Sequence, residues 1–221
     1  MNKQTFESDG KTLALYPPQS PELPLFLTFL TPQEADALAA LIDGKAALLA
    51  VDEPLWEHAF TPWPAPAAFK KAPDFSGSAD AYLQWLTETA LSQALETGRL
   101  QPQWNALLGY SLAGLFAAYA AYRSHVFTRT ASVSGSLWFD GWTDFMQTNP
   151  LSPLPQKACF SVGDKEKNSK NPRMAVVETA TLATQQNWQQ QGVECVFELN
   201  AGGHFENVPL RLYRAAEYLL G

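Results

Sequence analysis

Apolar positions along the chain fall into short unbroken runs, separated by stretches in which they recur every three or four residues. Lys11 to Tyr16 reads as a short strand. Leu25 to Leu30 is almost continuously apolar, as expected of a strand covered on both faces. Thr31 and Pro32 then open a helix, with Thr31 as N-cap, Pro32 at the first helical position and Glu34 near the capping-box position. Ala35, Leu38, Ala39 and Ile42 mark its buried face, and Gly44 ends it. Ala46 to Val51 is the next buried strand, and Ser78 to Glu96 a helix with Tyr82, Trp85, Leu86, Thr89 and Ala90 inward. Further strands are expected at Trp104–Gly109, Val126–Val133, Ala158–Val162 and Val193–Leu199. Between and after them come a small-residue helix from Ala113, a short aromatic helix that starts at Leu137-Trp138-Phe139, a long helix capped by Asn171 and Pro172 and running to about Gln191, and a C-terminal helix entered through Asn207, Val208 and Pro209. Strands alternating with helices predict an α/β fold: a mostly parallel sheet with helices on both faces, in a single domain over residues 1–221.

One stretch breaks this rhythm. Residues 52–77 hold Pro54, Pro62, Pro64, Pro66 and Pro73 among Trp56, Phe60, Trp63, Phe69 and Phe75. An irregular stretch of this length inside a domain is usually functional or mobile, and its aromatics imply packing on something. It reads as a flap near the site, or else as a plain surface excursion.

Composition narrows the function. Of the 221 residues 46% are hydrophobic, which is ample for a packed interior. The net charge of −7, without any Lys/Arg-rich run, argues against nucleic acid as a partner. The first residues lack the apolar core of a signal peptide, and no run is long enough to span a membrane. Cys159 and Cys195 each sit in an apolar run and read as free buried thiols. A cytoplasmic location is expected. The three histidines are scattered without ligand spacing and no phosphate-cradling glycine loop occurs, so neither metal nor cofactor is expected. Oligomeric state is not legible in the sequence.

The candidate chemistry lies just after strand ends. Leu107 to Gly109 stops at a glycine, Ser111 follows, and a helix rich in small residues begins at once. A strand, sharp turn and helix of this kind lift a serine hydroxyl above the sheet, where the helix N-terminus suits a developing oxyanion. Asp164 and Glu166 follow the run ending at Val162, and His204 sits in a Gly-Gly-His turn after the last strand. A serine hydroxyl is a weak nucleophile until a histidine takes its proton, and that histidine needs a carboxylate to hold its tautomer. Ser111, His204 and either Glu166 or Asp164 therefore form a candidate triad, in the chain order of α/β-hydrolases. Glu166 is favoured, because an acid three residues after a glycine is the usual arrangement of this loop; Asp164 would then cap the turn. The Leu112 amide is one candidate oxyanion donor, and an amide near Asp52 or Glu53 the second. Trp56, His58, Trp63 and Trp138 are candidate substrate contacts, since such rings provide a stacking wall. Surface or core packing is the competing reading for each.

Several stretches carry a family resemblance, in order along residues 20–221. They are Ala59 to Pro64, Tyr82 to Leu86, Gly109 to Phe116, Ser134 to Trp138, Ser161 to Glu166, and Gly202-Gly203-His204. Together these resemble the α/β-hydrolase esterases of the esterase D group, and within it the enterochelin (siderophore) esterase-like branch. The resemblance implies an α/β-hydrolase fold and a serine-dependent carboxylic ester hydrolase acting on a small-molecule ester, siderophore-like or otherwise aromatic. Two departures stand out. Ala113 occupies the usual second elbow glycine, and Trp56-Glu57-His58 stand where that branch tends to carry an arginine before its Thr-Pro segment. A non-catalytic hydrolase-fold binding protein is the alternative.

Overall fold

The apolar runs become strands because helices cover both of their faces. The computed structural model describes residues 3–221. The strands are β1 (Gln4–Ser8), β2 (Lys11–Tyr16), β3 (Leu25–Phe29), β4 (Ala47–Asp52), β5 (Pro64–Ala65), β6 (Phe75–Ser76), β7 (Asn105–Tyr110), β8 (Arg129–Val133), β9 (Lys157–Gly163) and β10 (Glu194–Asn200). Eight of them form one sheet in the order β1-β2-β4-β3-β7-β8-β9-β10. β2 runs antiparallel to both β1 and β4, and every pairing from β4 to β10 is parallel. β3 is buried throughout: Leu25, Leu27 and Phe29 face one core, while Phe26 faces the other.

The helices are α1 (Pro32–Ile42), α2 (Trp56–Ala59), α3 (Ala79–Trp85), α4 (Leu91–Gly98), α5 (Leu112–Ala120), α6 (Trp142–Thr148), α7 (Pro172–Ala175), α8 (Val177–Gln190) and α9 (Val208–Leu220). α1 carries the expected cap: the Thr31 side chain accepts from the Glu34 amide, and the Glu34 carboxylate accepts from the Thr31 amide. Leu38 and Ile42 of α1 share a core with Leu212, Ala216 and Leu219 of α9. The core on the opposite face takes residues from α3, α4, α5, α6 and α8. Among the described residues no helix is long and apolar enough to cross a membrane. Cys159 and Cys195 are free thiols, the first buried and the second partly so.

Local differences from the sequence reading have physical causes. β1 went unread, because its alternating pattern is short and half exposed at the sheet edge. The short helix expected at Leu137–Phe139 is a turn; helix begins instead at Trp142, after Gly141 at φ 80°. The long helix expected from Pro172 is interrupted at Val176, where φ −84° and ψ 4° leave the helical region. The helix over 78–96 is continuous but contains a π-turn at Leu86–Ala90. Residues 52–77 are more ordered than expected, since they hold α2 and the β5–β6 hairpin. Phe60 packs against Phe29 and Phe116, and the guanidinium of Arg173 donates to the carbonyls of Pro66 and Ala67.

Candidate active site

Ser111 sits at the apex between β7 and α5 with φ 58° and ψ −125°. This is a costly conformation for a residue with a Cβ, and surrounding bonds hold it there. The Ser111 amide donates to the Val133 carbonyl at 3.2 Å, and the Ser111 carbonyl accepts from Ser136 at 2.8 Å and Gly114 at 3.0 Å. The turn also requires a glycine before it: a Cβ at Gly109 would lie 1.8 Å from the Ala113 carbonyl oxygen. Close helix–loop approach occurs at Gly114, where a Cβ would meet the Gly135 Cα at 2.7 Å. The alanine at 113 is therefore compatible with the elbow, because the crowded positions are 109 and 114. Leu112 is the first residue of α5, so its N–H has no intrahelical acceptor.

Ser111 Oγ lies 3.0 Å from His204 Nε2, and His204 Nδ1 lies 2.7 Å from Glu166 Oε2. An ionised carboxylate only accepts, so the proton of the neutral ring resides on Nδ1 and Nε2 is left to accept from the serine. Glu166 Oε1 accepts from the Gly163 amide at 2.7 Å, the Ser134 hydroxyl at 2.8 Å and Arg211 at 3.2 Å. Burial would push the Glu166 carboxyl up. The hydrogen bond and charge of His204, with the Gly163 and Ser134 donors, outweigh burial and hold it below its ordinary 4.5. Asp164 does something else: its carboxylate accepts the Gly202 amide at 2.8 Å, tying the acid loop to the histidine loop. Of the two candidate acids, Glu166 is the one against His204.

The sequence reading overlooked Arg211. Its side chain is buried, and its guanidinium fans out to five partners: Tyr110 Oη, Ser134 Oγ, Glu166 Oε1, and the carbonyls of Ala201 and Gly203. The Tyr110 hydroxyl in turn donates to the His204 carbonyl. A signal was present, because Arg211 stands four residues before Ala215 and eight before Leu219 on the inward face of α9. A charge on an apolar helical face needs a buried partner.

A cavity of about 270 Å³ opens beside Ser111, Leu112 and His204. Trp56, Phe69, Phe75, Trp138, Met174 and Phe205 supply much of its apolar wall. Of the four residues expected to touch substrate, Trp56 and Trp138 line this cavity and His58 and Trp63 do not. His58 is exposed and bonds Ser76 and Ser78 through Nδ1. Trp63 points its indole N–H at the Asp140 carbonyl, 2.8 Å away, and packs on Phe139 and Phe145. Asp52 and Glu53 do not line this cavity either. They stand at the end of β4, and β3 lies between β4 and β7. The Glu53 carboxylate instead accepts the Leu55 amide at 2.8 Å and faces Lys11 at 3.7 Å. Phe69, Phe75, Met174 and Phe205 went unread as lining residues; the aromatics of 52–77 were visible, but not which of them face the cavity.

The model of the esterase family, described as "Putative esterase", matches residues 41–207. The Bacillus subtilis protein YbbA is 25% identical over 170 residues, covering 73% of this chain and 68% of YbbA. Among solved structures, an IroE-like serine hydrolase from Shewanella oneidensis superposes with a TM-score of 0.79 at 16% identity, over 99% of this chain and 79% of that one. The siderophore hydrolase EstB from Aspergillus nidulans gives a TM-score of 0.70 at 19% identity, over 99% and 94%. With a mostly parallel sheet between two helical layers and a family match over most of its length, the chain belongs to the esterase family and is a carboxylic ester hydrolase of α/β-hydrolase fold.

Proposed function

We propose that the chain hydrolyses esters through an acyl-enzyme formed on Ser111. The observation that carries this reading is the unbroken chain of contacts from Ser111 Oγ to His204 Nε2 at 3.0 Å and from His204 Nδ1 to Glu166 Oε2 at 2.7 Å. Ser111 attacks the ester carbonyl while His204 takes its proton, and Glu166 holds the ring and stabilises the imidazolium that forms. The developing oxyanion is met by the Leu112 N–H and the positive end of α5. His204 then gives the proton to the leaving alcohol. A water, activated by the same histidine, hydrolyses the acyl-enzyme and restores the serine.

The aromatic wall supports an ester with an aromatic or apolar group of modest size. Ester-linked siderophores are one class of that kind, and EstB is named as a siderophore hydrolase. Residues 52–77 act as a flap in this reading, since Trp56, Phe69 and Phe75 reach the cavity from that stretch. The test is Ser111→Ala assayed on an aryl ester. Turnover should fall about 10³- to 10⁶-fold, because the hydroxyl and imidazole act as a unit. Near-normal hydrolysis by this variant would sink the proposal.

A further inference from the structure

The cavity beside Ser111 is asymmetric in charge. Among the described residues, five Trp and Phe rings line it, those of Trp56, Phe69, Phe75, Trp138 and Phe205, and no lysine or arginine does. Glu57, on α2, supplies the one carboxylate lining it among the described residues. Among the described residues Glu57 makes no ion pair. The cations around the site are paired with carboxylates or stand outside the cavity. Arg173, next to Met174 in the chain, stands 5.8 Å from the centre of the Trp138 ring, but its charge is paired with Asp140 at 2.8 Å and it holds the flap carbonyls. Arg211 is buried behind Glu166. Lys70 and Lys71 follow Phe69 in the chain and are exposed without lining the cavity. The chain as a whole carries a net charge of −7, so the surrounding field has the same sign as Glu57.

Aromatic faces carry a negative quadrupole and attract cations, and an unpaired carboxylate beside them adds to that attraction. We propose that this cavity selects esters bearing a positively charged, ammonium-type substituent on an apolar or aromatic body, and discriminates against anionic esters. The inference rests on the serine-esterase reading above. Glu57 and the rings are the selecting elements, while Ser111 and His204 carry out the chemistry whatever the substituent.

The test uses three 4-nitrophenyl esters of phenylpropanoic acid that differ only at the para position: trimethylammonium, tert-butyl or carboxylate. The first two have the same shape and differ by one charge. The wild type should rank them cationic, neutral, anionic in kcat/KM at low salt. Each step should be about threefold to tenfold, the scale for a half-exposed carboxylate acting over several ångströms, and should shrink as ionic strength rises. Glu57→Gln should bring the cationic-to-neutral ratio close to one, and Glu57→Lys should invert it. These ratios are taken within one preparation, so partial misfolding of a variant cancels. Preference for the anionic ester, or a ratio unmoved by Glu57→Gln, overturns the inference while Ser111-dependent hydrolysis of the neutral ester leaves the esterase reading standing. Absence of Ser111-dependent turnover on all three esters overturns both.

Discussion

Replacing Arg211 with methionine removes a cation but keeps most of the side chain's length. Arg211 is 2% exposed, and its guanidinium serves Glu166, Ser134 and Tyr110 at 3.0–3.3 Å and the Ala201 and Gly203 carbonyls at 3.0 and 2.9 Å. Loss of one member of a buried charge pair costs about 3–5 kcal/mol, because the partner is left desolvated. For a chain of this size each kcal/mol lowers Tm by about 2–4 °C, so the expected drop is about 6–20 °C. Activity should fall as well. The guanidinium spans the acid loop and the histidine loop, and a misplacement of about 1 Å in a catalytic group can cost 100-fold. We therefore expect kcat on a neutral aryl ester to fall about 10- to 100-fold at temperatures where the variant is still folded. Thermal unfolding by circular dichroism gives the first number. Steady-state kinetics, normalised by titration of reactive serine, give the second. Arg211→Lys retains the charge without the planar fork and should fall between the two in Tm. A methionine variant within 2 °C of wild type in Tm and within twofold in kcat, an agreement far closer than these estimates allow, would refute the clamp.

Glu166→Gln should lower kcat about 10²- to 10⁴-fold by removing the charge that stabilises the imidazolium, whereas Asp164→Asn should cost less than about tenfold because that carboxylate serves only a loop amide. Glu166 also fixes a pH dependence of stability. Its folded value lies below the ordinary 4.5, so its contribution is fully present above that pH and is lost as pH falls through the folded value. Urea unfolding between pH 6 and 3 should therefore show a shallower acid decline in Glu166→Gln than in wild type; parallel curves would contradict the depressed value. Gly109→Ala places a Cβ within 1.8 Å of the Ala113 carbonyl, and should destabilise the chain by about 3 kcal/mol or prevent folding of the elbow. A fully active, equally stable alanine variant would show that the turn is looser than its geometry implies.

How much was legible in the sequence depended on whether local chemistry or spatial order decided the matter. Ser111, Glu166 and His204 come together because each follows a strand of the parallel part of the sheet, which gathers such loops at one end, and that strand-end position is legible in the sequence. Asp52 and Glu53 satisfied the same rule and still miss the cavity. They stand at the end of β4, which lies one strand removed from β7, and sequence order does not reveal that crossover. Trp63 and His58 have the residue types of a substrate wall, yet β5, β6 and the turn before α3 direct them to Asp140, Ser76 and Ser78. Arg211 shows the converse: a charge within an apolar helical stripe has a local signature, but its five partners come from β7, the loops after β8, β9 and β10, and so from four separate parts of the chain.

The role of Ser111 is tested most directly by covalent labelling of the intact protein with a fluorophosphonate, followed by peptide mapping. The serine reading predicts one adduct per chain, on Ser111, none in folded Ser111→Ala, and slowed labelling in Glu166→Gln. Folded, ester-hydrolysing wild-type protein that takes up no label, or takes it up at another residue while Ser111→Ala retains turnover, would contradict it.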